Sequence, residues 1–238
     1  MKVVIIHGQS HKGTSYHVGR ALVDQLGTKE EITEFFLPKD MPHFCCGCYQ
    51  CLKSVVKCPH YEWIKPITQS MDEADLLVFT TPVYCLRTTG SMKALLDHLF
   101  TQWISHRPKE EMYFKRAVVV AAGAGAGMKE AAKDIEISLQ YWGISDIQIY
   151  KVRSMAMSWD GVNDKNKAKV EHDMKAMADR LKASGKPTKV AFRRKVMFRL
   201  MRKMQLAGWG SGPEDKAYWV EKGWLGKYRP WRRKPATE

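Results

Sequence analysis

The sequence predicts an α/β protein built on a doubly wound parallel sheet, and three observations predict it. Five short runs of β-branched and other apolar residues lie between Val3 and Val152. Segments with helical apolar spacing separate them. The runs are apolar without alternation, the pattern of strands covered by helices on both faces.

The first run, Val3 to Ile6, breaks at Gly8 into the loop Gln9-Ser-His-Lys-Gly-Thr-Ser15. A helical pattern follows, with Val18, Ala21, Leu22 and Leu26 on one side. A strand, a polar loop and a helix N-terminus together make an anion site, because free N–H groups and the positive dipole end point at the ligand. Ser10, Thr14 and Ser15 add hydroxyls, Lys12 adds a charge, and Gly13 opens the turn. The structural alternative is a capped helix, with Thr14 or Ser15 as N-cap. Gly8-x4-Gly13 is followed by Thr14, so the Lys of a P-loop is missing. Nor is the loop Gly-x-Gly-x-x-Gly, which disfavours a dinucleotide at this turn. A hydroxyl-rich loop suits a terminal phosphomonoester, such as the tail of FMN.

The second strand is expected near Ile32 to Leu37, and a helix around Tyr61 to Met71. Ala74 to Thr80 reads as the third strand, Ser91 to Phe100 as a helix, and Ala117 to Ala121 as the fourth strand. A helix over Met128 to Trp142, a fifth strand over Ser145 to Val152 and a polar helix over about 163–183 complete the pattern. Five strands fit the flavodoxin-like order 2-1-3-4-5, whose ligand sits at the carboxyl ends of strands 1 and 3. The loop after the third strand should then also face a ligand. It reads Thr81-Pro-Val-Tyr-Cys-Leu-Arg-Thr-Thr-Gly90, with a turn fixed by Pro82, an aromatic face on Tyr84 and backbone groups over Val83 to Leu86. The loop after the fourth strand, Ala122-Gly-Ala-Gly-Ala-Gly127, lets a flat ligand approach the backbone.

The chain has 238 residues, enough for one large domain or a domain with an extension. No apolar run is long enough to span a bilayer. The N-terminus enters a strand without a leader-peptide pattern. Four of the six cysteines crowd into 45–51, which fits a reduced, cytoplasmic protein better than a disulfide framework. The net charge is +14, and fifteen basic against four acidic residues put +11 of it in 186–238. Such a tail attracts anionic partners or simply forms a solvated face, and the second reading carries more weight.

The first loop, Thr81-Pro-Val-Tyr84 and Gly90-Ser-Met-Lys-Ala-Leu-Leu-Asp97 together resemble the NAD(P)H-dependent FMN reductases of the flavodoxin-like superfamily. The resemblance covers about 1–185. It implies that the FMN phosphate rests on Ser10, Lys12, Gly13, Thr14 and Ser15. The ring edge would meet Pro82, Val83, Tyr84 and Cys85, with Gly123 and Ala124 on the third loop. Many members carry an Arg where this chain has His11-Lys12, and Lys lacks the bidentate fork. Cys45-x2-Cys48-x2-Cys51-x6-Cys58 resembles the compact motif of iron–sulfur flavoproteins in the same superfamily, which implies a [4Fe–4S] cluster on these four thiols. An all-thiolate set also suits zinc, and Cys48-x2-Cys51 suits a thiol/disulfide pair.

Two function classes follow. The leading one is an FMN-dependent oxidoreductase that passes a hydride from NAD(P)H to flavin and on to a quinone, free flavin, metal or similar acceptor. No side chain is named as catalytic, because the flavin carries the chemistry. The alternative is an electron-transfer flavoprotein, with or without the cluster, reduced by a protein partner. Nucleic acid is a disfavoured partner. The domain division expected is an FMN-binding domain over 1–185 and a helical, aromatic extension over 186–238. In the extension Val190, Val196, Met197, Leu200, Met201 and Met204 recur at helical spacing among basic residues. Trp209, Trp219, Trp224 and Trp231 argue for a folded arm. Family members are commonly dimers or tetramers, so the arm is expected against a second subunit of a homodimer or homotetramer.

Overall fold

The computed structural model describes residues 1–27, 31–208 and 212–232; Trp209 lies outside them. Five strands form one sheet: β1 (Val3–His7), β2 (Ile32–Phe36), β3 (Leu76–Pro82), β4 (Arg116–Gly123) and β5 (Asp146–Arg153). All pairings are parallel, in the order β2-β1-β3-β4-β5. The fold is therefore the expected flavodoxin-like one.

Side chains alternate between the faces, as the strand period of two requires. Val4, Ile6, Leu77, Phe79, Val119 and Ala121 face one core, closed by α3 (Tyr61–Glu73), α4 (Gly90–His98) and α5 (Met128–Tyr141). Val3, Ile5, Leu76, Val78, Val118 and Val120 face the other, closed by α1 (Thr14–Val23) and α6 (Asp164–Ala183). A short helix, α2 (Gln50–Lys53), lies between β2 and α3.

The strands lie where expected, most within a residue at either end, and β3 and β4 depart furthest, each for a polar reason. Ala74 caps α3 rather than starting a strand, and β3 runs on through Thr81 and Pro82 because it stays paired with β4 to Pro82↔Ala122. β4 begins earlier, at Arg116, a buried cation that pairs with Asp146 at 3.0 Å and donates to the Leu181 carbonyl at 2.7 Å.

Beyond α6 the chain forms α7 (Phe192–Ala207) and α8 (Pro213–Glu221). Val190, Phe198, Trp219 and Trp224 pack with Ile104 and Tyr113 of the same chain in a third core. Phe198 stacks on Trp219 with centroids 4.9 Å apart. The Trp219 indole donates to the His106 carbonyl at 2.6 Å, and the Tyr218 hydroxyl to the Pro108 carbonyl at 2.7 Å. Buried Asp215 accepts from His106 Nδ1 at 2.7 Å and pairs with Arg107 at 3.1 Å. The packed face of α7 is not quite the stripe read from the sequence. Phe198 and Gln205 are buried, while Val196 and Leu200 stand exposed on the opposite side. Val190, Met197 and Met201 of that stripe do pack on this core, so the arm has an intramolecular core of its own and Val196 and Leu200 face away from it.

Candidate functional site

At the carboxyl end of β1 the chain turns into α1 through Gly8–Gly13. Gly8 is stitched in place: its N–H donates to the Thr80 carbonyl at 2.7 Å, and its carbonyl accepts from Thr89 Oγ1 at 2.6 Å and Ser91 Oγ at 2.8 Å. The N-cap of α1 is Gly13, and no side chain caps the helix. Thr14 and Ser15 are therefore first-turn residues and not caps, and the first-turn N–H groups stay available to an anion. Ser15 is buried, Ser10 reaches the Leu37 carbonyl at 3.2 Å, and Lys12 Nζ lies 5.2 Å over the Tyr16 ring. Ser10, Lys12, Gly13, Thr14 and Ser15 thus occupy one turn at the carboxyl end of β1.

The loop after β3 is a tight hairpin. Tyr84 and Arg87 exchange backbone hydrogen bonds of 3.0 and 2.9 Å, and Cys85 and Leu86 both take left-handed backbone, at φ +49° and +62°. Non-glycine residues adopt that region only at a cost of roughly 1–3 kcal/mol each, and such strain gathers at functional sites. Arg87 holds the hairpin by a bidentate pair to Asp134 on α5, with Arg87 Nε 3.0 Å from Oδ2. Val83 N–H is spent on the Ala122 carbonyl at 2.8 Å, and Tyr84 N–H on Arg87. Of the backbone donors expected over Val83 to Leu86, those left at the tip belong to Cys85 and Leu86.

The loop after β4 meets this hairpin at Gly127, which has φ +85°; a Cβ there would lie 2.7 Å from Leu86 Cα. Gly123 packs against Val83, and Ala124 is exposed. Pro82, Val83, Tyr84, Cys85, Gly123 and Ala124 therefore share one end of the sheet, beside the α1 turn. Gln9 Nε2 links that turn to the Tyr84 hydroxyl at 3.2 Å. A cleft of about 340 Å³ lies next to them, lined by Gln9, Met41, His43, Tyr84 and Ser91 among others. Sequence reasoning missed Arg87 and Asp134, since residues 47 positions apart give no local signal.

Cys45, Cys48, Cys51 and Cys58 line a second cavity of about 390 Å³, with Cys46, His60 and His98. All six cysteines are free thiols. The Gln50 N–H pulls the exposed Cys48 thiol below its usual pKa, against slight desolvation and with help from Cys46. Burial pushes Cys51 and Cys58 up. His43 lines the first cleft, and its ring stacks at 4.4 Å on His60 of the second, so the two cavities share a wall. None of the three histidines stood out in the sequence.

Residues 1–156 match the family described as NADPH-dependent FMN reductase. Among curated proteins, an iron–sulfur flavoprotein of Archaeoglobus fulgidus is 27% identical over 146 residues, 60% of this chain and 64% of the relative. The chain spans between about half and two thirds of the length of the curated relatives it matches. Among solved structures, an FMN-dependent NADH-azoreductase of Bacillus anthracis in complex with FMN superposes with TM-score 0.56 at 15% identity, over 75% of this chain and 100% of that one. An NAD(P)H:quinone oxidoreductase of Methanothermobacter marburgensis gives TM-score 0.55 at 15% identity, over 74% and 96%. At such identities the superpositions show a shared fold.

Proposed function

Because the chain belongs to the NADPH-dependent FMN reductase family, we propose that it oxidises NAD(P)H through one FMN bound at the carboxyl ends of β1, β3 and β4. One observation carries this reading: the uncapped α1 turn, the strained hairpin and the Gly127 loop meet at one end of the sheet. The donor set fits the cofactor. The α1 N–H groups, the hydroxyls of Ser10, Thr14 and Ser15, the Gly13 turn and Lys12 suit a phosphate dianion. Pro82, Val83, Tyr84 and Cys85 edge the ring, and Gly123 and Ala124 leave room at its side. When bound, the flavin takes a hydride from the nicotinamide and delivers electrons to a quinone, flavin, metal or azo acceptor. The Cys85 and Leu86 N–H groups are placed to stabilise negative charge at the ring edge, and no side chain is assigned as acid or base.

Within this reading residues 1–185 are the FMN-binding domain and 186–238 an accessory extension. A homodimer or homotetramer fits the exposed Phe44, Leu86, Met155 and Met157, apolar residues of the loops after β2, β3 and β5 at the site end of the sheet. The free thiols fit a cytoplasmic location. Among the described residues no helix is long and apolar enough to cross a membrane. The test is steady-state oxidation of NADPH and NADH by the FMN-loaded chain with a soluble quinone. Turnover well above that of free FMN supports the reading, and background rates with both nucleotides refute it.

The shared cavity of Cys45, Cys48, Cys51 and Cys58 supports a second reading, an electron carrier with a [4Fe–4S] cluster on those thiols. The naming of the Archaeoglobus relative favours it too. Four irons and four sulfides per anaerobically purified chain would establish it, and iron-free protein with intact flavin would remove it.

A further inference from the structure

Cys58, His60 and His98 bring one thiol sulfur and two imidazole nitrogens within 4.8 Å of one another. The fold creates this meeting. His60 is the residue before α3, His98 is the last residue of α4, and Cys58 ends the turn that leads into α3.

His98 is buried, and its Nδ1 lies 2.7 Å from the Ala94 carbonyl. A carbonyl only accepts, so Nδ1 carries the proton and Nε2 presents a lone pair. A backbone acceptor on the far nitrogen is also the usual outer partner of a metal-bound imidazole. His98 Nε2 stands 3.0 Å from His60 Nδ1, which donates to it. Two nitrogens on one tetrahedral zinc-like ion stand about 3.3 Å apart, and a nitrogen and a thiolate about 3.6 Å. Replacing the shared proton by an ion needs a few tenths of an ångström between the two nitrogens and a tilt of both rings, and the Cys58 sulfur, within 4.8 Å of them, moves in by up to about an ångström. His43 stacks on His60 within 6° of parallel and steadies that ring.

We propose that Cys58, His60 and His98 form a mononuclear site for a borderline divalent cation of the zinc class. The fourth position opens toward the cavity lined by Cys45, Cys48 and Cys51. This donor set, one thiolate and two imidazoles, differs from the four thiolates of a cluster, and Cys58 cannot serve both. The inference rests on the reductase reading, in which no cluster claims Cys58. On binding, the Cys58 thiol gives its proton to solvent, and the His60 proton moves from Nδ1 to Nε2 through water. The net release is about one proton, and no electron changes hands.

The test uses the full-length, FMN-loaded chain, stripped of metal by chelator and kept reduced under anaerobic conditions. Cobalt(II) is the probe, because its bands beyond the flavin absorption report coordination. The expected result is one cobalt per chain, with the intense visible bands of a four-coordinate ion and a near-ultraviolet thiolate band. Cys58→Ser should abolish the thiolate band. His60→Ala, at a partly exposed position, should weaken cobalt binding by more than about tenfold. Cys46→Ser should change nothing. Absence of stoichiometric cobalt would overturn the proposal, as would a spectrum unaltered in both His60→Ala and His98→Ala. Four irons per chain in the protein as purified, lost in Cys58→Ser, would do the same. Flavin content and NADPH oxidation on the same samples separate failure of the metal site from failure of the reductase reading.

Discussion

Single residues join the strands to the site. Buried His7, the last residue of β1, has Nδ1 2.8 Å from Thr80 Oγ1 on β3 and Nε2 2.7 Å from Glu34 Oε1 on β2, which ties three strands together just below the α1 turn. Partial burial raises Glu34, but the His7 hydrogen bond and the charges of His7 and Arg20 outweigh it, so its carboxyl stands below the ordinary 4.5. A depressed carboxylate contributes stability that is present above the unfolded pKa and fades as pH falls through the folded one. Glu34→Gln should therefore lower the denaturation midpoint at pH 7 and flatten its decline below about pH 4.5. An acid limb of unchanged slope in urea titrations would contradict this. Asp134 makes a second prediction. It is the only anchor described for the Arg87 side chain, so Asp134→Ala should free the hairpin and weaken FMN binding by about tenfold. Flavin affinity equal to wild type would show that the hairpin holds its shape unaided.

Elements meet closely where the β3 and β4 loops touch. Gly127 has no room for a Cβ against Leu86 Cα and takes a backbone conformation that side chains rarely adopt. Gly127→Ala should cost about 1–3 kcal/mol and release flavin together with stability. Phe198→Ala, in the third core, should cost a similar or larger amount, about 3–5 kcal/mol, yet leave flavin affinity intact in the folded fraction. Chemical denaturation with flavin fluorescence separates the two cases. This contrast also marks what the sequence could reveal. Buried strands announce themselves as runs such as Val3 to Ile6 and Ala117 to Ala121, and strand order follows from their number and connection. The glycines and hydroxyls of the α1 turn are likewise local signals. The Arg87–Asp134 clamp, the left-handed hairpin and the Cys58–His60–His98 meeting are not, because each joins residues through the fold and not through spacing. The α7 stripe misled only in part: Val190, Met197 and Met201 meet the third core, but Val196 and Leu200 do not, and Phe198, which lies outside the stripe, is the fully buried residue of α7 in that core.

For the molecule as a whole, the arm after α6 is anchored on its own chain by Phe198, Trp219, Trp224 and the Asp215 bridge to His106 and Arg107. Deleting 189–238 should uncover Ile104 and Tyr113 and yield aggregation-prone protein. A well-behaved, fully active truncation would show the third core to be dispensable. Self-association is expected instead at the site end of the sheet, so Met155→Asp with Met157→Asp should shift sedimentation toward monomer. An unchanged sedimentation coefficient would place the interface elsewhere. The central claim is that the three loops hold a flavin that nicotinamide reduces directly. Anaerobic titration of the purified chain with NADPH, followed by flavin absorbance, tests it most directly. The account predicts about one FMN per chain, bleached by about one equivalent of NADPH, since a hydride carries both electrons. A chain that binds no flavin, or whose flavin bleaches only with dithionite or a protein donor, would contradict it.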